Sequence, residues 1–368
     1  MPKLRVSPLV QPGVRGLEPY VPGTPIEEAA RTVGLPPESF IKLASTENPL
    51  GMSPRAAEAV HRHLARAYQY PEVDCPDLRR TIGRRTGVDP DSVVVGNGAD
   101  GVLYAFFMAL VGEGDEVIVP DLTFSLYATV VRGMRGVVVT SPVRDLRIDL
   151  DDMLARITPR TRILCVCNPN NPTGDLLCRD ELEAFLNRVP EGVMVALDEV
   201  YCDFAEPGAF WSGAEALARG SSNVFVFRSC SKIYGLAGLR VGWGVGDPEL
   251  VGYINRIRPP FDVSVVAAIA AEAALDDTGF YARTLELTAA GKRYLSGELE
   301  RLGFRSLRSH TNFVLVDVGR DSREVYSALL REGVIIRAGY RLLPTYIRVT
   351  VGTPEQNERF VHALERCL

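Results

Sequence analysis

The chain has 368 residues, of which 46% are hydrophobic and 24% charged, and it carries a net charge of −5. That length and balance suit one large α/β domain with a smaller companion, and they exclude the basic field that nucleic acid requires. No apolar run reaches the ~18 residues that cross a membrane, and the opening MPKLRVSPLVQPG has no apolar stretch long enough for a signal peptide.

The seven cysteines are Cys75, Cys165, Cys167, Cys178, Cys202, Cys230 and Cys367. Their odd number and scattered spacing are no disulfide framework and point to a reducing, cytoplasmic setting. Cys165 and Cys167 lie in an apolar strand pattern and read as small hydrophobes. No His/Cys cluster has metal-ligand spacing, so no metal is expected.

Residues 1–39 are rich in Pro and Gly and read as an extended arm followed by a short helix, Pro25 to Thr32. An arm that cannot pack on itself packs on a partner subunit or across its own active site. Tyr20, in LEPYVPG, is its most interesting side chain. Phe40 to Ala44 reads as a strand that ends in the polar loop 45–51, STENPLG, where Asn48 is a candidate ligand contact. Ser53 caps a helix with Pro54 at its first position. Tyr70 follows in YQYPE, and Asp77 opens the next helix.

Asp91 to Val95 reads as a strand leading into GNGADG, residues 96–101, and an apolar helix from Val102. A strand, a Gly-rich turn and a helix start present backbone N–H groups to a phosphate. The glycine spacing is not that of a dinucleotide fingerprint. Glu116 to Pro120 is the next strand, and Asp121 to Tyr127 starts a helix, with Phe124 just past the strand end. Strands are also expected at Gly136 to Thr140 and at Arg162 to Cys167. The second of these runs into NPNNPTG, residues 168–174, a rigid loop of fixed amides. Val193 to Leu197 reads as a strand followed by Asp198, and a carboxylate there reads either as a helix or turn cap or as a buried charge that needs a cationic partner.

The stretch Phe227 to Gly246 follows the apolar run Asn223 to Phe227. It offers the hydroxyls of Ser229 and Ser231, together with Lys232 and Arg240. Gly235, Gly238, Gly242 and Gly244 are read as letting the backbone turn tightly. Lys232 is its one tunable nucleophile, suited to a Schiff base with an aldehyde cofactor whose phosphate the hydroxyls and Arg240 hold. Taken alone, Ser-x-Ser-Lys also describes a solvated lysine on a glycine-rich loop. The loops at 96–101, 121–127, 168–174, 198–201 and 229–240 all follow strands, however. In a mostly parallel sheet they therefore open on one edge, where ligands bind. Beyond Gly246 the pattern becomes α+β. Arg337 and Arg348 lie on strands among apolar residues, where either an anionic substrate or internal salt bridges would explain them.

NPNNPTG, the Asp198-Glu-Val-Tyr201-Cys-Asp-Phe204 segment, Ser-x-Ser-Lys followed by GLAGLRVG, then NFVL and IRVTVGT occur in this order. In that order they resemble the fold-type I pyridoxal-phosphate (PLP) aminotransferases, and within them most closely the histidinol-phosphate aminotransferases. The resemblance implies a mostly parallel central sheet with helices on both faces and a smaller α+β C-terminal domain. It divides the chain into the arm 1–39, a PLP-binding domain 40–255 and a small domain 256–368.

The resemblance also implies roles. Lys232 resembles the lysine that holds PLP as an imine and then shuttles the proton. Asp198 matches the carboxylate paired with the pyridinium nitrogen. Tyr201, with Asn171 beside it, matches the phenol bonded to the ring oxygen, and Phe124 matches the stacking aromatic. The cofactor phosphate would take Ala99 and Asp100 N–H groups, Ser229, Ser231 and Arg240. Tyr70 resembles the tyrosine that reaches the neighbouring subunit's phosphate, which implies a homodimer with shared sites. Arg348 resembles the arginine that grips the substrate carboxylate. Arg337, Tyr20 and Asn48 fall at substrate positions.

The implied reaction is L-histidinol phosphate plus 2-oxoglutarate to imidazole-acetol phosphate plus L-glutamate. The alternatives are an aminotransferase for another, aromatic or specialised, amino acid, or a lyase similar to threonine-phosphate decarboxylase. The sequence departs from the family pattern in having Thr46 where Asn is usual, Gly101 where Glu is usual and Leu122 where Pro is usual.

Overall fold

The computed structural model of the chain describes residues 7–367. Its strands are β1 (Ile41–Lys42), β2 (Val93–Asn97), β3 (Glu116–Pro120), β4 (Val137–Ser141), β5 (Thr161–Cys167), β6 (Met194–Asp198), β7 (Val224–Ser229), β8 (Val241–Val245), β9 (Phe313–Asp317), β10 (Val334–Ile335) and β11 (Tyr346–Thr350). β2 to β8 form a seven-stranded sheet in the order β2-β8-β7-β6-β5-β3-β4. β3 to β7 are mutually parallel, and β8 runs antiparallel to both β2 and β7.

Residues alternate between the two faces of each central strand, and both faces are covered, so the sequence reads as continuous apolar runs. On β5, Leu164 and Val166 pack into one core with Val195, Leu197, Val224 and Val226. Ile163, Cys165 and Cys167 pack into the opposite core with Ala196, Phe225 and Phe227. The two cysteines are free, buried hydrophobes. Among the described residues no helix is long and apolar enough to cross a membrane.

Three expectations change. Gly242 and Gly244 do not sit in a turn; they belong to β8. Their role is close packing rather than backbone freedom. A Cβ on Gly242 would stand 2.3 Å from the Ala99 amide nitrogen, and one on Gly244 would stand 2.5 Å from the Phe225 ring. The helix expected from Asp121 begins only at Leu126, because the Asp121 carboxylate accepts a hydrogen bond from the Val143 N–H (3.0 Å) and holds the preceding loop open.

The third change concerns the domain boundaries. β1 pairs in parallel with β10, and Leu43 packs in the core of the smaller unit with Val314, Val334 and Ile347. Conversely, Ala267, Ala271 and Leu275 of the helix Val265–Leu275 pack in a core of the large sheet. We therefore propose that residues 40–43 belong with the small unit and that the second boundary falls in the helix Thr278–Arg301 rather than at residue 256. The arm's helix, Ile26–Val33, rests Ala29 and Ala30 on Phe40, Leu330 and Ile335 of the small unit.

The Gly242 contact makes a measurable claim. Gly242→Ala should push β8 away from the start of the helix Gly98–Leu110 and destabilise the chain by roughly 1–3 kcal/mol. Chemical denaturation reads this directly, and an unchanged midpoint would contradict the close approach.

Candidate active site

The loop after β7 is tightly wound. The Ser231 N–H donates to Ser229 Oγ at 3.0 Å, and Lys232 follows, half-buried on the cavity wall. Its Nζ donates to Thr46 Oγ1 at 2.6 Å and to the Ser45 carbonyl at 3.3 Å, and it stands 5.6 Å from the centre of the Tyr201 ring. Burial, and secondarily the Arg348 cation, lower the Lys232 pKa from 10.5 to about 8. At neutral pH the lysine is thus much closer to its nucleophilic form than an exposed lysine is.

Arg240 closes this loop in a left-handed conformation, φ 53°. Its guanidinium pairs with Asp100 at 3.1 Å and donates to Ser231 Oγ at 3.4 Å. Gly98 has φ 72°, and a Cβ there would lie 2.5 Å from Arg240 Nη2. Ala99 and Asp100 occupy the first turn of the helix Gly98–Leu110, whose leading N–H groups lack intrahelical partners. Helix start, two serine hydroxyls and an arginine together make an anion cradle.

Asp198 ends β6 and is 6% exposed. Its carboxylate accepts from the Tyr127 hydroxyl and from the Val200 N–H at 3.2 Å. Burial outweighs both bonds and raises its pKa from 3.8 to about 6. At neutral pH a largely ionised carboxylate is therefore buried, with no cation within ion-pair distance among the described residues. The adjacent Glu199 is satisfied differently, by Arg228 at 2.7 Å and by the Gly213 N–H at 2.7 Å. Tyr201 presents its hydroxyl to Thr46 Oγ1 at 3.3 Å and receives the Asn171 amide at 3.4 Å. Phe124 and Tyr127 meet edge to face, their ring centres 5.7 Å apart.

The far end of the site is cationic. Arg337 and Arg348 face each other across an antiparallel bridge, with N–H···O contacts of 3.0 and 2.8 Å. Directly opposed residues point to one face, and like charges placed so destabilise a sheet. An anion between the two would offset that cost. Arg348 is 7% exposed and lies 4.8 Å above the Phe313 ring. It donates to Asn171 Oδ1 at 2.6 Å and to the Ala44 carbonyl at 2.7 Å, and its Nε has no partner. Arg337 reaches the Pro22 carbonyl at 3.1 Å, which draws the arm over the site. Tyr20 stands edge-on to Phe124 at 6.4 Å.

Lys232, Asp198, Tyr201, Arg240, Arg337 and Arg348 line one cavity of about 520 Å³, with Phe124 and Tyr20 on its wall. Two expected residues lie elsewhere. Asn48 spends its amide on the Ile233 carbonyl (2.9 Å) and on Thr284 Oγ1 (3.1 Å), and its oxygen accepts the Leu50 N–H. It clamps its loop to the lysine loop instead of facing a ligand. Tyr70 is 82% exposed and stacks on Phe261 at 4.6 Å, outside the cavity. Tyr127 escaped notice in the sequence, although a tyrosine entering an apolar helix after a strand end needs a partner for its hydroxyl. The Glu199–Arg228 pair has a sequence signal too, an acid just past the end of one apolar strand and an arginine at the end of the next.

The cavity fits pyridoxal 5′-phosphate on the chain's own terms. It offers an anion cradle at one side, a depressed lysine at the centre, an aromatic wall, and a buried carboxylate that lacks a cation. A protonated ring nitrogen would supply that cation.

A family model for class I and II aminotransferases matches residues 38–364. The chain is 42% identical over 362 residues to a histidinol-phosphate aminotransferase of Moorella thermoacetica, covering 98% of this chain and 93% of that protein. It is 43% identical over 364 residues to histidinol-phosphate aminotransferase 2 of Pseudomonas aeruginosa, covering 98% of each. The crystal structure of histidinol-phosphate aminotransferase from Sinorhizobium meliloti in complex with pyridoxal-5′-phosphate is similar, with a TM-score of 0.89 and 27% identity. That match covers 97% of this chain and 96% of that one.

Lys232 should weaken the cofactor-free fold. Its pKa is about 8 in the folded chain against 10.5 for a free lysine, so the buried charge destabilises fully below pH 8. The penalty fades as pH rises through that interval. Cofactor-free Lys232→Met should therefore melt a few degrees above the parent at pH 7, with the difference shrinking by pH 10. An equal or lower melting temperature at pH 7 would contradict the lowered pKa.

Proposed function

The chain belongs to the class I and II aminotransferases, and from that membership we propose that it transfers the amino group of L-histidinol phosphate to 2-oxoglutarate, with pyridoxal 5′-phosphate as cofactor. The products are imidazole-acetol phosphate and L-glutamate, a step of histidine biosynthesis. The observation that carries this reading is the ionised, buried Asp198 without a cation, in one cavity with the depressed amine of Lys232.

Bound PLP supplies an aldehyde that captures amines and a ring that takes up the charge left when a proton departs. Ala99, Asp100, Ser229, Ser231 and Arg240 would hold its phosphate. Asp198, oriented by Tyr127, would keep the ring nitrogen protonated, Tyr201 and Asn171 would face the ring oxygen, and Phe124 would cover the ring. Lys232 anchors the cofactor and, once released by an incoming amine, moves the proton at the substrate carbon that carries nitrogen. Its pKa near 8 suits both taking and returning that proton close to neutrality.

The two substrates share one feature, an anionic group at a distance from the reacting carbon. Histidinol phosphate ends in a phosphate, and glutamate carries two carboxylates. Arg348 would take a carboxylate of glutamate, and Arg337 and Tyr20, beside Arg348, would take the phosphate of histidinol phosphate. Asn171 Oδ1 already accepts from Arg348, in the manner of a carboxylate oxygen.

We also read the chain as a homodimer in the cytoplasm. Leu64, Tyr68, Tyr70, Val73, Ile257 and Phe261 are exposed apolar side chains, and the Tyr70–Phe261 stack shows that the two segments adjoin. Exposed patches of this kind mark interfaces. A dimer would bring Tyr70 to the partner's cofactor phosphate. The seven unpaired cysteines suit a reducing compartment.

The deciding experiment is a spectrophotometric half-reaction on the holoenzyme with L-histidinol phosphate, L-glutamate or L-phenylalanine added separately. Conversion of the bound cofactor to its amine form is expected with the first two. A response to phenylalanine alone would move the assignment to an aromatic substrate, and carbon dioxide release without a keto acid would move it to a lyase. Lys232→Ala should lose turnover and the cofactor's imine absorbance together. Arg337→Ala should reduce kcat/KM for histidinol phosphate at least about tenfold more than for glutamate, and equal losses would contradict the phosphate role. Sedimentation equilibrium should give a dimer, with Tyr70→Ala weakening PLP retention.

A further inference from the structure

Thr46 is 1% exposed and has φ 54°, in the left-handed region. A β-branched residue there is a genuine outlier, because Cβ crowds the carbonyl oxygen that follows. Glycine or asparagine takes that conformation with far less strain. The backbone is held from both sides: its N–H donates to Thr350 Oγ1 at 3.0 Å, and its carbonyl accepts from Asn312 Nδ2 at 3.0 Å. These two bonds use only main-chain atoms, so any residue would make them. What threonine adds is its side chain.

The hydroxyl has one proton, and its shortest acceptor is the Ser45 carbonyl at 2.6 Å. The lone pairs of Oγ1 are then free to accept. Lys232 Nζ lies 2.6 Å away and is a donor, and the Tyr201 hydroxyl lies 3.3 Å away. The only other acceptor on Nζ among the described residues is the Ser45 carbonyl, at a weaker 3.3 Å.

We propose that Thr46 is a positioning residue for Lys232: its hydroxyl oxygen aims the lysine amine across Tyr201 into the cavity, and the loop keeps a strained backbone so that this oxygen stands there. The inference rests on the reading of Lys232 as the cofactor lysine.

The charges facing Nζ are accounted for. Burial lowers its proton affinity most, Arg348 and Arg240 lower it further, and Asp100 and Glu47 raise it. Thr46 differs from all four in touching Nζ directly. An acceptor on the ammonium favours the charged form. Removing the oxygen therefore lowers the lysine's pKa further and leaves its aim to one long bond.

The first test uses the full chain freed of cofactor. The pH dependence of Lys232 acetylation by acetic anhydride is followed by mass spectrometry of the peptide that carries it. Thr46→Val keeps the branched shape and removes only the oxygen. It should shift the Lys232 titration down by about one pH unit, and Thr46→Ser should restore it. Thr46→Ala replaces the valine variant if that one does not fold. In the holoenzyme, Thr46→Val should reduce kcat about tenfold, with KM for L-glutamate changed less than about twofold. Thr46→Asn should raise the melting temperature by relieving the backbone.

An unchanged Lys232 titration in both the valine and alanine variants would overturn the proposal, because a purely structural Thr46 would move the melting temperature and not the titration. The labelling needs no cofactor and no substrate. Its failure is thus separate from any failure of the half-reaction that tests the activity.

Discussion

The ionised carboxylate of Asp198 is the constraint that the site is built around. It sits at the carboxyl end of a central parallel strand, between two apolar cores, where burial raises its pKa to about 6. Among the described residues it has a tyrosine hydroxyl and one backbone N–H but no cation within ion-pair distance. Glu199, the next residue, shows what the fold does with a purely structural buried carboxylate: it supplies an arginine, a serine and a backbone amide. Two adjacent acids are thus treated in opposite ways, and only the one facing the cavity is left short of positive charge. Buried ions without partners are rare because the desolvation penalty is large. Such a site is explained by a cation that arrives with a ligand.

Lys232 presents the converse problem. It is a buried amine whose surroundings disfavour its proton, and the nearest acids, Asp100 and Glu47, are tied to Arg240 and Lys42. The close packing beside it fixes the loop that carries it. β8 lies so near the start of the helix Gly98–Leu110 that only glycine fits at Gly242, and Arg240 lies against Gly98 with no room for a Cβ. The anion cradle and the lysine are therefore parts of one rigid contact between β7, β8 and that helix. This is the geometric condition for a preorganised site.

Much of this was legible in the sequence because strand ends in a parallel sheet are predictable places. The runs ending at Cys167, Leu197 and Phe227 are continuously apolar, as strands covered on both faces are, and the polar loops after them are clear breaks. Parallel packing then brings those loops to one edge without further information. Strand β8 was not legible, because Val-Gly-Trp-Gly-Val reads as turn chemistry when the partner that demands glycine lies far away in the chain. The same limit applies to Asn48, whose polar loop marks a ligand edge while its actual partners, Ile233 and Thr284, are fixed only by tertiary packing. The domain boundary misplaced β1 and the helix Val265–Leu275 for a related reason: local pattern identifies an element but not the core that receives it.

The substrate end follows from a different kind of argument. Arg337 and Arg348 are paired directly across an antiparallel bridge, an arrangement that costs stability when nothing lies between the charges. Arg348 relieves part of this by bonding Asn171, a residue of the cofactor side, and Arg337 by bonding Pro22 of the arm. Each arginine thus joins the anion end to another part of the site. An anion taken up between them would compete with both links at once, freeing the Pro22 carbonyl of the arm and the Asn171 side chain beside Tyr201. A phosphate ester would then draw on both guanidinium groups, whereas a carboxylate of the second substrate could be held by Arg348 alone, so one cavity could take the two in turn.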